Sequence, residues 1–191
     1  MDRGRRMFQS LAPSLLLATP TLLDPNFRQT VVLLFAHGPE GALGLVINRP
    51  SPEPLRKVLE ATGLPNPGED IGGRPVFLGG PVQLGTGWVL FRGTDPRGES
   101  FPAGPDLRVT GSQRVFRDLL TASPVPTFRF CLGNAGWAPD QLESEIREGA
   151  WMTAPVDLRI VFEVPPDQCW RQAWLTLGVD PSLWSFSVGD G

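Results

Sequence analysis

The sequence predicts a single domain of the α+β class, with a mixed, mostly antiparallel β-rich core and about four flanking helices. Its 191 residues are enough for one domain with a sizeable core. Strand-like and helix-like segments alternate irregularly, and an early β-hairpin indicates antiparallel pairing rather than a doubly wound parallel sheet. The 22 glycines and 21 prolines indicate many short loops.

The chain is predicted to consist of an N-terminal extension, residues 1–14, and a single domain, residues 15–191. Arginines before an apolar stretch imitate a signal peptide, but Pro13 interrupts the stretch and no Ala-x-Ala cleavage pattern follows. We therefore expect residues 15–18 to form the first strand. No stretch reaches the roughly 18 apolar residues of a membrane span, so we expect a cytoplasmic protein without a membrane partner.

The strongest local pattern is a β-hairpin formed by residues 30–37 and 42–48 around the turn "GPEG". Residues 31–36 are apolar without alternation, which indicates a strand that is covered on both faces. We expect this strand to lie centrally in the sheet.

The middle of the chain is predicted to contain a helix, a loop and two strands. Leu55, Val58 and Leu59 have the spacing of an amphipathic helix, which ends at Gly63. A long loop over residues 64–75 follows, and then "PVFLGGPV" and "GWVLFRG" predict two strands. The composition of residues 95–106 predicts another loop.

The C-terminal half is predicted to hold two strands and three helices. Ser112 is a suitable N-cap for a helix with one apolar stripe. Residues 125–132 and 156–164 predict strands. A last helix carries Trp170 and Trp174 on its apolar face and ends at Gly178.

The remaining helix follows the segment "FCLGNAGWAPDQLE", residues 130–143, in which a glycine-broken loop separates a strand from the helix. With Ala138 as N-cap, Pro139 takes the first helical position and Gln141 can reach back to the N-cap backbone. Trp137 can then pack on Leu142 as a hydrophobic staple. The loop is therefore expected mainly to turn a corner.

The alternative for this loop is ligand binding. A strand, glycine loop and helix often cradle phosphate, but Asp140 and Glu143 in the first turn would repel an anion, and no Lys or Ser/Thr follows the glycines. The "GNAG" pattern also matches a GxxG RNA-binding loop, without any adjacent basic charge. A small-molecule contact through Asn134 or Trp137 stays open.

The charge distribution argues against nucleic-acid binding. Residues 1–133 hold 14 basic and 11 acidic side chains, residues 134–191 hold 3 and 9, and the net charge is −3. Phosphate neutralisation needs a clustered basic face. Cys131 and Cys169 are too few for a disulfide scaffold and lack zinc-site spacing, so a reducing compartment, no metal and no cofactor are expected.

The candidate ligand-binding residues are polar or aromatic groups near predicted strand ends: His37, Asn48, Arg49, Asn134 and Trp137. His37 is the only histidine, and either packs at its strand end or serves as a ligand. A nucleophilic pair of Cys131 with His37 is a further possibility.

Arg49 precedes a proline and is held extended at the exit of a buried strand, where ligands gather in α/β sheets. An ion pair of Arg49 with Asp24 or Glu143 is the structural alternative. Turn bonding alone is enough to explain Asp24 in "LLDPNF".

Five stretches in order resemble the AlgH/YqgE family of bacterial proteins: "LLLATPTLLDPNFRQTVVLLFAH", "GALGLVINRP", "VFLGGPV", "NAGWAPDQLESEI" and a late Trp followed by "LGVDP". The resemblance implies one α+β domain in the bacterial cytoplasm. It also implies the family's usual description as a transcriptional regulator, for which no biochemical activity is agreed. Asn134 departs from the family pattern, which has an aromatic residue at that place.

Three functions remain open at the level of sequence. We favour a non-catalytic regulatory or interaction protein with an unidentified protein or small-molecule partner, because the family resemblance implies a regulator and no complete catalytic set is present. An enzyme or small-ligand binder that uses a cleft near His37, Asn48, Arg49 and Trp137 is the alternative. Direct DNA binding is disfavoured by the charge distribution.

Overall fold

The computed structural model describes residues 8–184 and shows a ten-stranded, mostly antiparallel sheet with flanking helices, which confirms the predicted α+β class. The strands are β1 (Ser14–Ala18), β2 (Val31–Gly38), β3 (Gly41–Val46), β4 (Pro50–Pro54), β5 (Pro75–Leu78), β6 (Val82–Arg92), β7 (Phe101–Gly104), β8 (Leu107–Thr110), β9 (Phe128–Trp137) and β10 (Trp151–Ala154). The helices are α1 (Leu55–Thr62), α2 (Glu69–Gly72), α3 (Gln113–Thr121), α4 (Gln141–Arg147), α5 (Leu158–Phe162) and α6 (Pro166–Thr176), with a 3₁₀ turn at Pro181–Leu183. None of the helices in this part of the chain is long and apolar enough to cross a bilayer.

Strand β9 joins the two halves of the sheet. The strand order is β10-β1-β2-β3-β9-β6-β8-β7, while β4 pairs with β5 beside this path. The C-terminal end of β9 pairs with β3, and its N-terminal part pairs with β6 and, in parallel, with β5. Most cross-strand pairs are therefore antiparallel.

The central hairpin is confirmed, since β2 and β3 pair antiparallel and the first five residues of β2 are buried. Alternate β2 residues enter different apolar clusters. Leu33 lies in the cluster that contains Trp174 of α6, whereas Leu34 lies in the cluster that contains Leu142 of α4. Both faces of the strand are covered, as its unbroken apolar run predicts.

Three predicted helices are confirmed by their caps and buried faces. Gly63 ends α1 in the left-handed conformation, where glycine carries no side-chain penalty. The Ser112 hydroxyl accepts a hydrogen bond from the Val115 amide at 3.4 Å at the start of α3. Helix α6 buries Ala173 and Trp174 and is followed by Gly178 at φ +75°.

The predicted strand over residues 156–164 is wrong, because this segment forms α5. The Asp157 carboxylate accepts a hydrogen bond from the Arg159 amide at 2.9 Å, which caps a helix that buries Ile160 and Val161. The strand lies earlier, as β10, at the sheet edge beside β1. In such a short apolar run, the N-cap outweighs the strand pattern.

Two predicted loops hold regular structure. The segment 95–106 contains β7, and the segment 64–75 contains the single turn α2. Strands β4 and β8 were not predicted either. All four elements are short, and β4 contains three prolines that sequence rules assign to loops.

Candidate functional site

The segment 133–136 continues a strand instead of turning a corner, so that prediction is wrong. Gly136 and Trp137 pair with Leu43 and Ala42 of β3, and Asn134 pairs with Val82 of β6. Hydrogen bonding to strands on both sides outweighs the local preference of glycine for turns. These neighbouring strands are distant in sequence, so the sequence pattern does not indicate them.

The glycines of this segment permit close approach of backbones. Gly133 has φ +71°, and a Cβ atom there would lie 2.5 Å from the Gly80 carbonyl oxygen. At Gly80, a Cβ would lie 2.3 Å from the Asn134 carbonyl carbon. The glycines therefore have a structural role at the crossing of two chain segments.

Helix α4 begins two residues later than predicted. Asp140 is the N-cap, in the left-handed conformation at φ +62°, and the first helical residue is Gln141, so Ala138 and Pro139 belong to a preceding turn. The predicted reach of Gln141 is confirmed, because its Oε1 accepts a hydrogen bond from the Ala138 amide at 2.9 Å. The turn closes through the Gln141 amide, which donates to the Ala138 carbonyl at 3.1 Å.

His37 is fixed on both sides of its ring. Nδ1 accepts a hydrogen bond from the Leu11 amide at 2.9 Å, and Nε2 lies 2.9 Å from the Glu143 carboxylate oxygen Oε1. Because Nδ1 is the acceptor, the proton of the neutral ring is on Nε2, which donates to Glu143. The side chain is 2% exposed, and the Phe8 ring packs edge-on against it at 4.8 Å.

Trp137 belongs to a network centred on a carboxylate, which we name the Glu145 network. The indole nitrogens of Trp137 and Trp151 both donate to Glu145 Oε2 at 2.9 Å, and the Gln141 amide nitrogen donates to Oε1 at 2.9 Å. The two indole rings meet edge to face with centroids 6.0 Å apart. A carboxylate that accepts three such bonds is well satisfied inside the fold.

Asn48 and Arg49 anchor the loop that leads into β2. Asn48 Oδ1 accepts from the Val31 amide at 3.0 Å, and its Nδ2 donates to the Gln29 carbonyl at 3.0 Å. Arg49 donates to the backbone carbonyls of Pro25, Asn26 and Arg28 at 2.8 to 3.0 Å.

The suggested ion pair of Arg49 is not formed with either candidate acid in the described residues. Glu143 is bonded to His37, and Asp24 Oδ1 accepts from the Asn26 amide at 2.8 Å, as expected for a turn residue. Burial lowers the pKa of Arg49, and the more distant charge of Asp24 acts in the opposite direction.

Asn134 lies in β9 and is almost completely buried, at 1% exposure. Its Nδ2 donates to the Ala135 carbonyl at 3.2 Å, and its Oδ1 has no hydrogen-bond partner among the described residues.

The five candidate residues lie in three places. His37 and Trp137 lie on either side of Ala42, near the N-terminal end of β3. Asn48 and Arg49 follow the other end of that strand, and Asn134 is buried in β9. The structure thus brings together His37 and Trp137, and separately Asn48 and Arg49. Their role in ligand binding stays a prediction.

The two cysteines are buried free thiols. Burial raises the pKa of Cys131 to about 12 and that of Cys169 to about 11, and the Arg129 charge opposes both shifts. Since both nitrogens of His37 have other partners, Cys131 is not paired with it as a nucleophile. The described residues contain no cluster of three or more His, Cys, Asp or Glu side chains able to hold a metal ion.

Sequence reasoning missed Glu145 and Trp151 as members of the Glu145 network. One signal was present, because Gln141 and Glu145 are four residues apart and share a helix face. Trp151 carried no comparable signal, since its position depends on the pairing of β10 with β1.

Fold and site together define a small α+β protein in which the residues best suited to chemistry are bonded within the domain. The AlgH-like (DUF179) family model matches residues 15–182. The chain therefore belongs to the AlgH-like family, as its sequence motifs predict.

Relatives of similar length support this assignment. A UPF0301 protein of Anaeromyxobacter dehalogenans strain 2CP-1 is 41% identical over 95% of this chain and 94% of its own. Another, from Azoarcus sp. strain BH72, is 36% identical over 94% of each chain.

Two solved structures have a similar fold. The solution structure of the AlgH protein from Pseudomonas aeruginosa matches with a TM-score of 0.75 at 35% identity, over 100% of both chains. A crystal structure of protein DIP2367 from Corynebacterium diphtheriae matches with a TM-score of 0.74 over 97% of this chain and 95% of its own, and at 19% identity it shows the fold alone.

Proposed function

We propose that this protein is a non-catalytic regulatory protein of the bacterial cytoplasm that acts by binding a protein partner, and that any effect on transcription passes through that partner. The observation that carries the proposal is an exposed apolar surface formed by Leu78, Pro81, Val82 and Leu84, named here the 78–84 patch. Clusters of exposed apolar side chains are a common feature of protein–protein interaction sites.

The 78–84 patch lies at the connection between β5 and β6. Leu78 is 43% exposed, Val82 41% and Leu84 63%. Leu78, Pro81 and Leu84 line a shallow pocket of about 210 Å³ together with Arg49. A partner that buries the leucines would thus also meet a cationic side chain.

The motif glycines of β9 lie beneath this patch. A Cβ atom at Gly133 would lie 3.2 Å from Leu84 Cδ2, and one at Gly136 would lie 3.9 Å from Val82 Cγ2. Small residues in the strand therefore leave room for the apolar side chains above it, which gives the "GNAG" pattern a role in shaping an interaction surface.

The state of the reactive side chains supports a non-catalytic role. A general base needs a free nitrogen or carboxylate within reach of a substrate, whereas both nitrogens of His37 are bonded inside the domain. A thiol nucleophile acts as the thiolate, and burial raises the pKa of both thiols far above neutral pH.

Charge pairing supports action through a protein rather than through DNA. Within residues 8–184, seven Arg and Lys side chains form ion pairs with carboxylates: Arg56, Lys57, Arg92, Arg97, Arg114, Arg159 and Arg171. Phosphate contacts would have to compete with these acids, and the net charge of −3 opposes approach to a polyanion.

The test is co-purification from the source bacterium with wild type, Leu84→Glu and Leu183→Glu. Leu183 is 78% exposed and lies outside the 78–84 patch, so it is the matched control. A partner retained by wild type and Leu183→Glu and lost with Leu84→Glu supports the proposal. A partner that is retained equally by all three proteins would show that the 78–84 patch is not its binding surface.

Direct DNA contact is tested separately by titrating labelled duplex DNA at low salt. We expect flat isotherms with wild type. Binding that weakens steeply as salt increases would mean phosphate neutralisation and would contradict the proposed route through a partner.

A further inference from the structure

A cavity of about 400 Å³ lies between the beginning of α1, strand β5, the N-terminal end of β9 and the α5–α6 region. Arg74 and Arg129 line it together with phenylalanines, which include Phe77, Phe128 and Phe162, and none of its lining residues is acidic. We name it the arginine cavity. Its volume falls within the roughly 300–1,000 Å³ of small-molecule sites, which are also mostly apolar with a few polar groups.

Arg129 is a cation with little compensation from the protein. Its Nη1 donates to the Ile47 carbonyl at 2.9 Å, and its Cζ lies 4.5 Å from the centroid of the Phe77 ring. Burial lowers its pKa, and the groups that oppose this shift are the thiols of Cys169 and Cys131. These thiols are neutral near pH 7, so they do not balance the charge.

Arg74 is the second cation of the cavity. Its Cζ lies 5.4 Å from the centroid of the Phe128 ring. Within residues 8–184, its side chain forms no ion pair or hydrogen bond. Because a guanidinium group has five N–H donors, most of the donors of Arg74 and Arg129 remain open.

Arg49 shows what a structural arginine looks like in this protein. Its Nη atoms donate to three backbone carbonyls and hold a loop in place. Arg74 and Arg129 instead lie over aromatic rings, and of their guanidinium N–H groups only Arg129 Nη1 has a partner among the described residues. Stacked guanidinium groups with free edges are well suited to planar anions such as carboxylates, and to phosphates.

We propose that the arginine cavity binds a small organic anion, namely a carboxylate or phosphate attached to a planar apolar group. Guanidinium N–H groups at the cavity wall hold the anionic end, and the phenylalanine rings contact the apolar body. The shared chemistry fits a free aromatic acid and an aryl phosphate alike, and the two are separated by experiment.

The test is calorimetric titration of the full chain at low salt with 2-naphthoate, 1-naphthyl phosphate and the neutral isostere 2-naphthamide. We expect at least one anion to bind and the amide to bind about tenfold or more weakly, the usual effect of losing a charge-assisted hydrogen bond. The tighter anion identifies the preferred end group. No binding by either anion up to millimolar concentration, or equal binding of the amide, would overturn the proposal.

The site is located with Arg74→Gln and the matched control Arg117→Gln, since Arg117 is exposed on α3 and does not line the cavity. Arg74→Gln should weaken the anion by about tenfold, and Arg117→Gln should leave it unchanged. Arg74 is half-buried, so its variant should fold, and far-UV circular dichroism checks this. Equal affinity in wild type and Arg74→Gln would place the anion elsewhere and sink the assignment.

Discussion

The Glu145 network and the arginine cavity both place charged side chains beside aromatic rings, but they compensate the charges differently. In the network, the Glu145 carboxylate accepts three hydrogen bonds from neighbouring side chains. In the cavity, Arg74 has no such partner within the described residues, and Arg129 donates to one carbonyl. A satisfied charge stabilises a fold, whereas an open charge beside a cavity is available to a ligand.

The comparison is tested most strongly by Trp137→Ala, which should lower the free energy of unfolding by about 4 kcal/mol, because it leaves a large void in the core. Trp137 is only 6% exposed and lies in the apolar cluster with Leu142. Urea denaturation measures the effect.

Trp137→Phe is the control for the tryptophan, because it keeps most of the ring packing and removes the indole donor to Glu145. We expect a loss of about 1 kcal/mol. Equal losses for the two variants would mean that packing contributes little at this position and that the hydrogen bond dominates.

Glu145→Ala is the next largest change. It leaves two indole N–H groups and the Gln141 amide without their acceptor, so we expect a loss of about 3 kcal/mol. Glu148→Ala at the C-cap of the same helix is the matched control, since Glu148 is exposed and its side chain accepts a hydrogen bond from Ser144. Its expected cost is about 0.5 kcal/mol. Similar costs in urea denaturation would contradict a tightly satisfied network.

Alkaline pH should destabilise the fold through its two buried thiols, those of Cys131 and Cys169. Burial raises the pKa of Cys131 to about 12 and of Cys169 to about 11, from 9.0. The unfolded thiols therefore ionise first, and stability that is complete below pH 9 decreases as pH rises toward 11. We expect a loss of about 2 kcal/mol between pH 9 and pH 10.

The composition makes this titration unusually clean, because the chain has no tyrosine and Lys57 is its only lysine. The measurement is urea denaturation at several pH values in wild type and in the double variant Cys131→Ala, Cys169→Ala. The double variant should lose most of the pH slope, whatever its absolute stability. An unchanged slope would assign the alkaline effect to other groups.

The sequence predicted those elements whose signals are local. Three such elements are confirmed: the β2–β3 hairpin, the Ser112 N-cap and the end of α1 at Gly63. Each depends on residues that are close together in the sequence. The segment 133–136 was misassigned because its strand conformation depends on β3 and β6, which are distant in sequence. The strand prediction for residues 156–164 is wrong for another reason. One N-cap contact, from the Arg159 amide to Asp157, decides between helix and strand there.

The site was harder to predict than the fold. Asn48, Arg49 and His37 were selected as polar residues near strand ends, and they do lie there. Whether their polar groups face a ligand or the protein depends on distant partners such as Leu11 and Glu143. Arg74 and Arg129 were not selected, because a missing partner leaves no pattern in a sequence.

The smallest predicted effect separates the open arginines from the structural one. Arg49→Gln should lower the free energy of unfolding by about 1–2 kcal/mol, because three backbone carbonyls lose their donors. Arg74→Gln should change it by less than about 0.5 kcal/mol, because no described partner loses a hydrogen bond and only the contact with the Phe128 ring is weakened. Both are measured by urea denaturation in the same buffer without added organic anions. If Arg74→Gln were as costly as Arg49→Gln, Arg74 would be a structural residue and the cavity would lose one of its two anion-binding groups. If it is neutral for stability while it weakens 2-naphthoate or 1-naphthyl phosphate, the free N–H edge of Arg74 serves a ligand and not the fold.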